Sequence, residues 1–220
     1  MYNPDVFRQD DISLLWRWIR DNPFGVLVTN TASGIEATHL PFVATEPDSE
    51  GRWKLIGHMA AANSQWRSFS DQVEALVIFQ GPHAYVSPTL YPAGAGQAPV
   101  WHYSGIGAAA RHAEPALPTW NYVAVHVRGN PILLDDKRAV LARQVAAHEK
   151  DWNLDMLPSA FVQAKQARIV AFEIPVRAIE GKAKLGQRQS AEERFRVAEQ
   201  LNQSVESSAR KIAQMMKKHR

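Results

Sequence analysis

Apolar residues at Ile12, Leu15, Trp16 and Ile19 recur three and four positions apart. That spacing predicts an amphipathic helix, capped by Asp10 or Asp11 and ended by Asn22-Pro23. The period then changes. Short runs at 25–29, 35–44, 53–59, 75–80 and 83–87 have the composition of strands. They are punctuated by Ala32-Ser33-Gly34, by 46–51 and by Gly81-Pro82. Loops this short favour antiparallel neighbours. From 88 to 118 glycines, prolines and alanines give no period, which predicts a long loop or lid at about 91–118. Val123, Val125 and Val127 then share one face of a strand at 122–128. A helix is expected from Asp135 or Asp136 to about Trp152, and a strand from Arg168 to Ile174 that continues to about Ile179. Ser190 and Glu193 have capping-box spacing, and open one last helix through Phe195, Leu201, Ile212 and Met216. Many short strands with a few helices predict a mainly β, α+β fold: a barrel decorated by helices. The expected organisation is one domain over 1–189 and a helical C-terminal extension over 190–220.

The 220-residue chain has no cysteine, which excludes disulfides, thiolate zinc sites and cysteine nucleophiles. The segment 1–20 holds Asp5, Asp10 and Asp11 and lacks an apolar run, so it does not read as a signal peptide. No stretch is long and apolar enough for a membrane span. The expectation is a cytoplasmic protein. The net charge is +3, and its distribution matters more than its size. Residues 205–220 carry five Lys/Arg against Glu206 alone, which leaves the rest of the chain close to neutral. This basic tail reads either as favourable charge near a helix C-terminus or as a nucleic-acid contact.

Polar and aromatic clusters fall at the predicted strand ends: THLPF at 38–42, GHMAAANSQW at 57–66, FQGPHAYVSP at 79–88, PTWNY at 118–122 and EGKAKLGQ at 180–187. In the second, a strand ends near Ala60 and Asn63 is placed to cap a short helix through Phe69. The free N–H groups of a first helical turn suit a phosphate, and a simple capped connection reads equally well. In the fourth, Trp120 and Tyr122 share one side of a strand and Asn121 takes the other. In the fifth, Lys184 follows an apolar strand, with Gln187 three residues on. The eight histidines show no compact metal-ligand spacing. Neither a Walker loop nor a dinucleotide fingerprint is present; Gly105-Ile106-Gly107 lacks the third glycine.

Taken in order, these five motifs, with the opening Met1-Tyr2-Asn3-Pro4 and Phe7, resemble the PaiB family of flavin mononucleotide (FMN)-binding negative transcriptional regulators. The resemblance runs from the first residue past Gln187. It implies the split β-barrel of the pyridoxamine-phosphate-oxidase-like proteins, with FMN at the interface of a homodimer. Residue by residue, it makes His39, Leu40 and Pro41 candidates beside the flavin ring. It places His58, Asn63, Gln65 and Trp66 near the phosphate and ribityl chain. Thr119, Trp120 and Asn121 close the site, and Lys184 and Gln187 reach FMN from either protomer. The chain departs from the family pattern at Ser64, Leu90, Gly186, Arg188 and Gln189.

The resemblance implies a regulator, although no helix-turn-helix is visible, so a DNA or regulatory partner is not shown by the sequence. The alternative is an FMN-dependent oxidoreductase of the same split-barrel group.

Overall fold

A computed structural model describes residues 1–90 and 117–218. The expected loop at 91–118 thus falls almost wholly outside the described residues. The fold is α+β, with two antiparallel sheets and C-terminal helices. The strands are β1 (Arg8–Gln9), β2 (Phe24–Thr31), β3 (Gly34–Pro41), β4 (Val43–Ala44), β5 (Lys54–Ala60), β6 (Ala75–Val86), β7 (Thr119–Gly129), β8 (Ile132–Leu134), β9 (Ile169–Pro175) and β10 (Ala178–Lys184). One sheet has the order β1-β10-β7-β6-β2-β3, the other β4-β5-β9-β8. The helices are α1 (Ile12–Asp21), α2 (Lys137–His148), α3 (Ser159–Gln166), α4 (Ala191–Asn202) and α5 (Ser207–Lys218). The chain divides into two compact units. The first comprises Met1, Gln9–Gly81 and Ala124–Gly181; the second comprises Tyr2–Arg8, Pro82–Val123 and Lys182–Arg220.

In the first unit the predicted caps form. Asp11 accepts from the Leu14 N–H at the start of α1, and Asp136 accepts from Ala139 at the start of α2. The apolar stripe of α1 buries Leu15, Trp16 and Ile19 in a core with Leu27, Leu40, Phe42, Leu55, Val77, Val125 and Phe172. Phe42 meets Phe79 and Phe172 edge-on, at centroid distances of 5.7 and 6.2 Å. Trp16 and Trp53 stack at 4.8 Å with 15° between their planes. β2 and β3 pair from Phe24↔Pro41 to Thr31↔Gly34. Gly34 has φ +113°, a conformation the turn needs and side chains resist. β5 pairs with β9 from Lys54↔Pro175 to Ala60↔Ile169. Leu55 and Met59 point into the main core; Ile56, on the opposite face, packs with Val140 of α2 and Ala171.

In the second unit Ala84, Val86, Val123, Ala183 and Leu185 are buried, as are Val197, Ala198 and Leu201 of α4 and Ala209, Ile212, Ala213 and Met216 of α5. These two helices pack against each other. The Ser190–Glu193 capping box forms as its spacing predicts.

Several elements differ from expectation, among them the helix expected to about Trp152, which ends at His148. Gly81-Pro82 does not end a strand, because β6 runs from Ala75 through Val86. Proline's fixed φ suits extended backbone, and its missing N–H matters only where a ladder donor is needed. The buried positions change phase there, from Ala75, Val77 and Phe79 to Ala84 and Val86. His83 takes both backbone hydrogen bonds from a side chain: its N–H donates to Ser208 Oγ and its carbonyl accepts from the same hydroxyl, each at 2.7 Å. The final helix is broken into α4 and α5. Ser204 Oγ accepts from the Glu206 N–H, a local turn that competes with helix, and Arg210 donates to the carbonyls of Ser204 and Val205. The run at 168–179 is two strands, β9 and β10, and α3 and β8 add elements that their weak periodicity hides.

Candidate functional site

In the first unit a buried amide organises the end of the GHMAAANSQW motif. Asn63 Oδ1 accepts from the Gln65 N–H and caps the 3-10 turn Ser64–Ser68, while its Nδ2 donates to Thr38 Oγ1 at 2.9 Å. Gln65 is fully buried. Its Nε2 donates to the Leu27 carbonyl, Thr29 Oγ1 and the Glu36 carbonyl, and its Oε1 accepts from Thr38. Trp66 Nε1 donates to the Ala61 carbonyl, and the Arg67 guanidinium lies 5.6 Å from the Trp66 ring. These side chains spend their hydrogen bonds on the connection itself.

His39, Leu40 and Pro41 alternate along β3. His39 is exposed and stacks on Phe24 at 6.2 Å, and Leu40 is in the core. The Pro41 carbonyl accepts from Gln144 Nε2 at 3.0 Å. Gln144 also lies against His58, whose Nδ1 is buried without a hydrogen-bond partner among the described residues. Burial holds this imidazole below its ordinary value, and the Gln144 bond offsets part of the effect.

The second unit gathers cations. Lys184 Nζ donates to Thr119 Oγ1. Burial lowers its pKa from the ordinary lysine value; Tyr122 opposes that shift, and Lys182 and Arg188 add to it by like-charge repulsion. Lys182 is buried beneath three rings, its Nζ 5.5, 6.0 and 5.4 Å from the centroids of Tyr2, Phe7 and Tyr122, and it donates to the Tyr2 carbonyl. The Arg188 guanidinium covers Phe7 at 5.4 Å. No carboxylate among the described residues pairs with Lys182, Lys184 or Arg188. A partly buried cation cluster without a counter-ion fits a phosphate monoester. The set therefore matches FMN, whose phosphate Lys184 and Thr119 would hold. When bound, FMN supplies one- and two-electron redox chemistry.

Gln187 folds onto its own loop, accepting from the Leu185 N–H and donating to the Ala183 carbonyl. Asn121 is buried, with Nδ2 3.4 Å from Met216 Sδ. Trp120 is 53% exposed beside His83 and Tyr85. Sequence reasoning missed Gln144, whose only signal is a polar residue on an otherwise aliphatic helix face, and Lys182 and Arg188, which lie in a quoted motif or just beyond it. No described helix is long and apolar enough to cross a membrane.

Comparisons with known proteins bear on the family and the fold. The chain is 29% identical over 222 residues to the "Protease synthase and sporulation protein PAI 2" of Bacillus subtilis, covering 98% of this chain and 96% of that protein. Its fold is similar to that of the FAD and heme binding protein from Mycobacterium smegmatis, with a TM-score of 0.52 at 11% identity, covering 86% of this chain and 78% of that one. It is similar also to the flavocytochrome Anf3 from Azotobacter vinelandii, with a TM-score of 0.52 at 10% identity, covering 82% and 70%. The family described as "Putative FMN-binding domain" matches residues 1–112 and 108–178. With most of its length matched and a cation cluster suited to a flavin phosphate, the chain belongs to this FMN-binding family.

Proposed function

We propose that this FMN-binding protein is an FMN-dependent oxidoreductase of the split-barrel flavoprotein group, working as a homodimer. The observation that carries the cofactor's placement is the Lys184–Thr119 pair, with Lys182 and Arg188 close enough to perturb Lys184 and no carboxylate to neutralise them. The redox role is supported by the likeness of fold to a flavocytochrome and to a protein that binds FAD and heme. The chain's own part is to bind and orient the flavin, and residues 1–189 are the portion that does so, with 190–220 as a helical extension.

A second reading, an FMN-binding regulator, is favoured by the similarity to a sporulation protein over nearly the whole chain. The basic tail gives it little help as a DNA contact. Arg210 is spent on two carbonyls, and Lys217 pairs with Glu199 and covers Phe195. A regulator built this way acts through the flavin's redox state or a partner.

Titration of flavin-free protein tests the placement. Lys184→Ala should weaken FMN by roughly 10- to 100-fold, the worth of a charge-assisted hydrogen bond. Riboflavin, which lacks the phosphate, should bind wild type and variant alike. An equal loss for both flavins overturns the phosphate assignment. Anaerobic addition of a reduced nicotinamide should bleach the bound flavin. A flavin that no reduced nicotinamide bleaches, in a protein that retards DNA on a gel, moves the conclusion to the regulator.

A further inference from the structure

Lys182 stands apart from the Lys184–Thr119 pair. It is only 8% exposed, and a lysine out of water is ordinarily paired with a carboxylate. Here no carboxylate among the described residues pairs with it. The Tyr2, Phe7 and Tyr122 rings lie 5.5, 6.0 and 5.4 Å from its Nζ instead, and the Tyr2 carbonyl accepts one of its hydrogens at 2.9 Å. Two of the three rings and the carbonyl come from the N-terminal segment Tyr2–Arg8. Asp5, the one acid in that segment, is taken by Arg8 at 2.6 Å. Glu180, two residues before Lys182, is taken by the Met1 ammonium at 2.9 Å.

This way of holding a cation has an electrostatic consequence. A carboxylate would cancel the charge of the lysine everywhere beyond the pair itself. A ring carries no net charge; its quadrupole attracts an ammonium at contact and fades quickly with distance. The cage therefore holds the ammonium and leaves its field intact.

That field falls on Lys184. Both lysines lie on β10, and residues two apart on a strand share a face, about 7 Å from each other. Lys182 is among the charges that depress the Lys184 pKa, and Tyr122 of the neighbouring strand β7 interacts with both lysines. We infer that Lys182 is a positioning residue for the flavin phosphate. Its uncancelled charge makes the site at Lys184 prefer a phosphorylated flavin, and the cage built by the N-terminal segment is what leaves that charge uncancelled. The inference rests on the placement of the phosphate at Lys184.

The test titrates flavin-free protein with FMN and with riboflavin. The ratio of the two affinities is the readout, because a damaged fold weakens both flavins alike. Lys182→Met should lower that ratio roughly 5- to 20-fold, the worth of one charge about 7 Å away in a partly buried setting. Lys182→Arg, which keeps the charge, should stay within about threefold. Tyr2→Glu is the sharper variant. Tyr2 is 85% exposed, so the fold tolerates the change, which sets a carboxylate beside Lys182. A role in packing alone predicts no loss of FMN from this new ion pair. The field predicts a fall in the ratio of roughly fivefold, with the neutral Tyr2→Gln within about twofold.

If Lys184→Ala lowers the ratio and Lys182→Met does not, the inference is overturned and the phosphate placement stands. If Lys184→Ala leaves the ratio unchanged, the phosphate placement falls and the inference falls with it. Equal losses in Lys182→Met and Lys182→Arg overturn it as well, because the side chain then acts through its shape rather than its charge. Should Lys182→Met fail to fold, an unchanged ratio in Tyr2→Glu overturns the inference by itself.

Discussion

The side-chain amide of Gln144 lies between Pro41 and His58: its Nε2 donates to the Pro41 carbonyl at 3.0 Å, and its contact with the imidazole offsets part of the effect of burial. The Nδ1 of that histidine is buried without a hydrogen-bond partner among the described residues. His126 is in a similar state: Nδ1 is buried without a partner, and burial, then the Met1 ammonium and Arg128, hold its pKa down while Glu180 opposes them.

Both histidines make the fold sensitive to acid. Their folded pKa values lie below the ordinary 6.5. Between the lowered values and 6.5 the unfolded chain therefore binds more protons, and stability falls as pH falls through that window. Urea midpoints should be flat above about pH 7 and decline below about 6.5. His58→Asn, which cannot titrate, should give a shallower decline. An unchanged slope in that variant would assign the sensitivity to other groups.

Both ends of the Asn63 amide are engaged, by Gln65 and Thr38, which ties the side chain into the strand-to-turn connection. Asn63→Ala should lower stability by about 1–2 kcal/mol, the usual worth of a cap. Asn63→Asp keeps the acceptor and loses only the donor to Thr38, and should cost roughly half as much. FMN affinity of the folded alanine variant should stay within about threefold of wild type, well under the loss of one hydrogen bond to a charged group. A tenfold loss measured by flavin fluorescence quenching would put Asn63 back among the ligand contacts.

Gly129 and Gly51 separate crowding from backbone strain. A Cβ at Gly129 would lie 2.1 Å from the Pro175 carbonyl oxygen and 2.8 Å from Ile174 Cγ2. Gly129→Ala should therefore force strands β7 and β9 apart and cost roughly 3 kcal/mol or more. At Gly51 nothing lies within 4 Å, but φ is +74°. Gly51→Ala should cost only about 1 kcal/mol from the backbone. Comparable losses of melting temperature for the two would contradict this packing.

The elements most legible in the sequence were those with local causes. Asp11, Asp136 and the Ser190–Glu193 pair announce helix starts, because a cap is a contact between near neighbours. Val123, Val125 and Val127 show their buried face by alternation alone. What stayed hidden depends on contacts distant in sequence. The continuation of β6 past Pro82 rests on Ser208, 125 residues away. The surroundings of His58 include Gln144, whose own position is tied to Pro41, 103 residues away. The five motifs located Lys184, and only the fold shows that Lys182 and Arg188 surround it without a counter-ion. Period two put Trp120 and Asn121 on opposite sides of β7, but not which side met water; the tryptophan did.

The stacked Trp16 and Trp53 give the molecule an optical signature of its own fold. Two nearly parallel indoles at 4.8 Å couple their electronic transitions, and the resulting circular-dichroism couplet exists only while α1 is seated against the strand-side loop. The chain has seven tryptophans, yet this is the tryptophan–tryptophan pair stacked among its described residues. Loss of that couplet marks the moment the first unit opens, and does so without a label and independently of whether flavin is bound.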